Sequence, residues 1–189
     1  AFNIKAKSLR LGNFSRDELV ALYAEHTVET GQMFTEEALE RAWALTRGQP
    51  WLVNALGYEA GFESPTGRAR GQLITAELLD EAKEALILRR DTHLDQLADK
   101  LGEPRVRRVI EPILAGATTP ELLPPDDLDY ALDLGLIDRI DGQLAIANAI
   151  YREIIPRQLT YSTTLTISQE PAWYLRPDGR LDDGKLLAG

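Results

Sequence analysis

The chain contains no cysteine, one methionine (Met33) and two histidines, His26 and His93. Without thiols, disulfides, thiol nucleophiles and cysteine-based zinc sites are excluded. Neither histidine has a second ligand at metal-binding spacing, so no metal site is expected. No apolar run approaches the roughly 18 residues of a membrane span, so no membrane association is expected, and the expected location is the cytoplasm. The phosphate-binding pattern G-x-x-x-x-G-K-[ST] is missing, as are the dinucleotide fingerprint and the G-x-S-x-G elbow. Paired carboxylates at Glu36/Glu37, Asp126/Asp127 and Asp182/Asp183 fall at helix starts or turns, where capping explains them. With no nucleophile–base pair, the chain alone is expected not to be an enzyme. It begins at Ala1; no secretory signal is expected, and the chain is expected to be a piece of a longer protein.

What is present is a folding composition. Of 189 residues, 44% are apolar and 27% charged, enough for one large or two small domains with their own cores. Acidic residues outnumber basic ones by 30 to 21, a net charge of −9. That balance opposes a surface adapted to phosphate backbones.

The patterning predicts a mainly α chain. Residues 1–14 read as an extended lead-in. Ser15 and Glu18 have capping-box spacing, and Leu19, Leu22, Tyr23 and His26 follow at helical intervals before Gly31. A second helix starts at Thr35, with Leu39, Ala42 and Trp43 on its apolar stripe and Gly48 as a left-handed stop. Pro50 opens a third helix carrying Trp51, Leu52, Ala55 and Leu56. Residues 61–73 lack periodicity and read as a mobile loop, and a fourth helix runs from about Thr75 to Arg90. Residues 15–90 are thus expected to form a small helical bundle. In residues 91–160, Leu94, Leu97, Ala98 and Leu101 mark one helix. Pro104 opens another, bent at Pro112, and a short one begins at Asp126 and stops at Gly135. Apolar residues flanking Asp141-Gly142 signal a β-hairpin. Three helices and a hairpin read as a winged helix, closed by a helix from Ala149 to about Gln158. Residues 161–189 read as a tail that starts as a Thr-rich, strand-like stretch.

Three features together resemble the AAA-like, signal-transduction (STAND) ATPases. Phe2-Asn3-Ile4 followed by Leu9-x-Leu11-x-x-Phe14-Ser15 is similar to the exit from that family's ATPase core into a helical lid. Thr46-Arg47-Gly48-Gln49-Pro50-Trp51-Leu52 resembles its Gly-x-Pro lid motif, and a winged helix follows the lid. The resemblance covers about residues 2–160. It implies that residues 1–14 leave an ATPase core outside this chain, that 15–90 form the lid, and that 91–160 form the winged helix. It further implies that Gly48 and Pro50 rest against the nucleotide and that Arg47 approaches a phosphate. The chain itself would hold no cofactor, whereas ATP or ADP with Mg would bind the parent protein. The partners implied are the ATPase core of the same polypeptide and a protein effector or self-association. Relatives often continue into a nuclease-like domain, to which the tail would be the linker. On the residues alone, Gly48-Gln49-Pro50 reads first as an efficient helix–helix turn, and Arg47 is equally a cation suited to a helix C-terminus. Several relatives carry a nucleotide-contacting histidine in the winged helix, but Ala147-Asn148-Ala149-Ile150-Tyr151-Arg152 has none.

A winged helix also suggests DNA binding, but residues 92–160 carry seven basic and twelve acidic side chains. The helix that would enter a groove holds Asp126, Asp127, Asp129 and Asp133 and no cation, whereas DNA binders commonly use roughly 6–10 phosphate contacts. Nucleic acid is therefore not the expected partner. Arg105, Arg107, Arg108 and Trp51 are the residues from which an interaction surface would be built. The three arginines read first as a solvated face or one paired with acidic neighbours. The expected function is a nucleotide-sensing, non-catalytic regulatory unit. The alternatives are a winged-helix DNA-binding regulator and an adaptor using Trp51 or Trp173.

Overall fold

The structure, a computed structural model, describes residues 12–89, 97, 99–116 and 123–169, with backbone alone for 161–169. It is mainly helical with one β-hairpin, as the patterning predicts. Helix α1 (Arg16–Thr30) begins in the expected capping box: Glu18 N–H donates to Ser15 Oγ at 3.2 Å and Ser15 N–H to Glu18 Oε2 at 2.7 Å. The returned bonds hold the Glu18 carboxyl below its ordinary range. Gly31, at φ 74°, ends the helix. Helices α2 (Glu36–Thr46) and α3 (Pro50–Tyr58) follow, capped by the side chains of Thr35 and Gln49. Helix α4 (Ala76–Arg89) completes the first group. Leu19, Leu45, Leu52, Leu56, Ile74 and Leu79 are fully buried between these elements.

The segment expected to be a mobile loop has a defined course. Helix α3 widens into a π-helical turn, Glu59–Glu63, and Gly67 folds back so closely that a Cβ there would lie 1.6 Å from Ala60 O. Phe34 and Ile74 form a single parallel bridge. Gln32, nearly fully buried, donates from Nε2 to Gly67 O (2.9 Å) and Gln72 O (3.1 Å), while its Oε1 accepts from Arg70 Nη1 at 2.8 Å. Since that orientation leaves Oε1 as acceptor, the His26 Nε2 at 3.2 Å from it carries the proton. Tertiary bonds replace periodicity here, and a lone glutamine gives no sequence signal for them.

Leu97 and residues 99–102 are helical; His93 and Leu94 lie outside the described residues. Helix α5 (Pro104–Leu114) runs through Pro112, and α6 (Pro125–Asp133) starts one residue before the expected Asp126. Strands β1 (Ile137–Ile140) and β2 (Gln143–Ile146) pair antiparallel, Ile137 opposite Ile146 and Ile140 opposite Gln143. Asp141 (φ 51°) and Gly142 (φ 81°) make the left-handed pair that a two-residue hairpin requires.

The last helix, α7 (Ala149–Gln169), departs from expectation. It passes Pro156 and continues through the Thr-rich stretch expected to be extended. Extending a nucleated helix gains a bond per residue fixed, whereas threonine costs only a fraction of a kcal/mol per position. After Pro156 the next breaker in the sequence is Pro171. The two groups of helices share one hydrophobic cluster, α2 packs on α7, and Lys83 Nζ on α4 meets Glu153 Oε2 on α7 at 2.8 Å. Desolvation lowers the Lys83 pKa, but pairing with Glu153 and Glu84 outweighs it and leaves the ammonium raised.

Candidate functional site

The turn from α2 to α3 is tightly built. Thr46 Oγ1 donates to Ala42 O (2.8 Å) and accepts from Gly48 N–H (3.2 Å). Arg47 and Gly48 are both left-handed, at φ 49° and 73°. Gly48 is buried, and a Cβ on it would lie 1.9 Å from Phe14 O and 3.0 Å from Trp43 Cζ3. Phe14 N–H donates to Gly48 O at 2.8 Å, fastening the lead-in to the turn. Pro50 fills the first helical position, where its missing donor is not needed.

The expected left-handed stop is therefore two residues long, and its first member is an arginine. Of Arg47, Gly48 and Pro50, only Arg47 reaches the adjoining open depression of about 360 Å³. That depression is walled by Phe14 and Trp43 on one side and by Asp138, Arg139 and Asp141 of the hairpin on the other. The Arg47 guanidinium is exposed and makes no ion pair among the described residues. Gly48 shapes the turn from beneath, and Pro50 is half-buried.

The arginines of α5 are occupied. Arg108 Nη2 lies 2.8 Å from Asp127 Oδ2 and Arg107 Nε 2.8 Å from Glu111 Oε1. Arg105 stacks 3.7 Å over the Tyr130 ring and donates to Asp126 O at 3.2 Å. Asp127, read from sequence as a capping residue, is buried and serves as the counter-ion of Arg108 and Arg105. Trp51 is half-buried against the core; Trp173 and the Asp182/Asp183 pair lie outside the described residues. Among the described residues no three metal-ligating side chains cluster, and no helix is long and apolar enough to cross a membrane.

His26 does not stand as an isolated base. Its ring meets Phe34 and Phe62 edge-on, at 5.6 and 5.3 Å between centroids, and Nε2 bonds Gln32. The sequence reading places His26 at the end of an apolar stripe but misses the aromatic pocket around it. Three of its rings (Phe34, Tyr58 and Phe62) come from segments without a shared period. A scan against family models and a search of curated proteins return no match for this chain.

Proposed function

We propose that this chain is the non-catalytic, nucleotide-sensing lid and winged helix of a larger AAA-like STAND ATPase working in the cytoplasm. On this reading the neighbouring core grips the nucleotide. Arg47 and the Pro50 ring edge meet it, Gly48 sets the shape of the turn, and the hairpin passes the state on to an effector. One observation carries the reading: the turn is bonded to the segment arriving from the N-terminal side and shares a depression with the hairpin tip. Contact with a nucleotide held upstream thereby has a physical route to the far end of the chain. The left-handed Arg47 adds support. A non-glycine residue in that conformation costs about 1–2 kcal/mol, and here its side chain makes no compensating ion pair among the described residues.

The DNA-reading alternative loses ground, because Arg105, Arg107 and Arg108 are each engaged by acceptors or a ring of the same chain. Few cations remain there to displace counterions from phosphates.

Titration calorimetry of Mg–ATP into the 189-residue chain is expected to show no binding tighter than about 1 mM. A micromolar Kd would contradict the reading, since the fragment would then need no core. In the parent polypeptide, Arg47→Ala is expected to change the ratio of ATP to ADP affinity by about fivefold. Upstream coding sequence without a phosphate-binding loop in about 150–250 residues, the span of one domain, would remove the reading altogether.

A further inference from the structure

A second cavity, of about 230 Å³, opens between α1, α3 and the π-helical turn. At its floor Gly57 lies directly against the buried Tyr23 ring, so close that a Cβ there would be 2.9 Å from Tyr23 Cε1. Its wall is aromatic: Tyr58 and Phe62 stack with centroids 5.3 Å apart, and the His26 ring stands edge-on to Phe62. Its rim is acidic. Glu25 and Glu29, one turn apart on α1, both line the opening, are exposed, and make no ion pair among the described residues.

We propose that this pocket receives the guanidinium of an arginine presented by a partner protein. Among the described residues no lysine or arginine lines the cavity, Arg70 and Tyr58 already cover the Phe62 ring so that Tyr58 offers the open face, and His26 Nε2 is committed to Gln32. Aromatic faces attract cations through their quadrupole, and two unpaired carboxylates add a net negative potential at the mouth. Tyr58 and Phe62 are 57% and 38% exposed, large rings beside one another at the surface. An open slot with rings on one side and carboxylates on the other suits a planar, weakly hydrated fork better than a compact ammonium. The chain uses the same pairing within itself, placing Arg70 4.6 Å over the Phe62 ring and Arg105 3.7 Å over Tyr130. Its net charge of −9 favours encounter with a basic surface. The proposal is independent of the nucleotide reading.

The test is amide chemical-shift mapping of the full chain with the peptide acetyl-Gly-Gly-Arg-Gly-Gly-amide. Saturable shifts centred on Gly57, Tyr58 and Phe62, with a Kd of order 1 mM, are expected for one exposed contact of this kind. The Glu25→Gln/Glu29→Gln chain, altered only at exposed positions, should bind about fivefold more weakly. The lysine peptide should also bind more weakly, and the citrulline peptide, equal in shape but neutral, should not bind. The proposal is overturned by silence up to about 10 mM peptide, by shifts centred elsewhere, or by unchanged binding in the double variant. Equal binding of the lysine or citrulline peptide overturns it too. Guanidinium chloride binding as tightly as the peptide would assign the pocket to a small free cation instead of a partner protein.

Discussion

Gly31 and Gly48 have the same backbone conformation, φ 74° and 73°, in different surroundings, and alanine at each separates two costs that are usually mixed. At Gly31 a Cβ meets nothing within 4 Å, so Gly31→Ala carries only the left-handed penalty, about 1 kcal/mol. At Gly48 the same penalty applies, and the Cβ would also stand 1.9 Å from the carbonyl oxygen of Phe14. That oxygen is backbone and cannot rotate away, so the lead-in must retreat from the turn. Its retreat forfeits the Phe14 N–H to Gly48 O bond, worth about 0.5–1.5 kcal/mol. Overpacking against Trp43 adds about 1–3 kcal/mol. Gly48→Ala should therefore destabilise by roughly 2.5–5.5 kcal/mol, and exceed Gly31→Ala by at least about 1.5. Urea unfolding followed by far-UV circular dichroism measures both on one scale. Equal losses at the two sites would refute the argument, because conformation alone would then account for Gly48.

Gln32→Leu removes the group that holds Gly67 O, Gln72 O and Arg70 together, and should cost about 2–4 kcal/mol. Limited proteolysis should then cut within residues 61–73 of the variant but not of the wild type. Arg47→Gly is expected to raise stability by about 0.5 kcal/mol, since glycine takes the left-handed position more readily; a loss above about 1 kcal/mol would mean that the side chain braces the fold. Burial pushes the Tyr151 hydroxyl up to about 12 and raises that of Tyr23 as well. A folded pKa above the unfolded one gives stability that is complete below about pH 10 and is lost as pH rises towards the folded value. Alkaline unfolding should therefore begin above pH 10, costing about 1.4 kcal/mol per pH unit for Tyr151. Absorbance near 295 nm should show Tyr151 ionising only at about pH 12 and Tyr23 later still, or both on unfolding; titration of all six tyrosines together with the fold intact would contradict it.

Where one local signal decides a feature, the residues disclose it. Ser15 and Glu18 cap α1 because both bonds lie within three residues, and Asp141-Gly142 turns the hairpin because the turn alone demands positive φ. Segment 61–73 is decided by Gln32, some 35–40 positions away in sequence, which no window of periodicity contains. The continuation of α7 is legible in retrospect, since no glycine interrupts residues 149–169, but threonine's strand preference outweighs that in a local reading. At the turn, Gly-x-Pro identifies the stop and the start. That Gly48 is covered while Arg47 is displayed depends on Phe14 lying across it, a contact between segments more than thirty residues apart.

The shared core restricts how a nucleotide signal would travel. A switch needs two arrangements with different affinities for ATP, and packed interiors resist intermediate deformation. Here α2 packs on α7, Lys83 ties α4 to Glu153, and the buried side chains form a single cluster across both groups of helices. Parting the two groups would strip water-excluded surface and leave a half-buried ion pair broken, whereas pivoting the whole unit disturbs neither. Under the proposed function, then, the response is a rigid-body movement of both groups of helices together about the lead-in, not a hinge between them. Lys83→Met tests this in the parent polypeptide. It should lower stability by about 1 kcal/mol, moderated because Arg157 still pairs with Glu153, and leave the ATP to ADP affinity ratio unchanged. A shift in that ratio comparable to that of Arg47→Ala would place the moving joint between the two groups and refute rigid-body transmission.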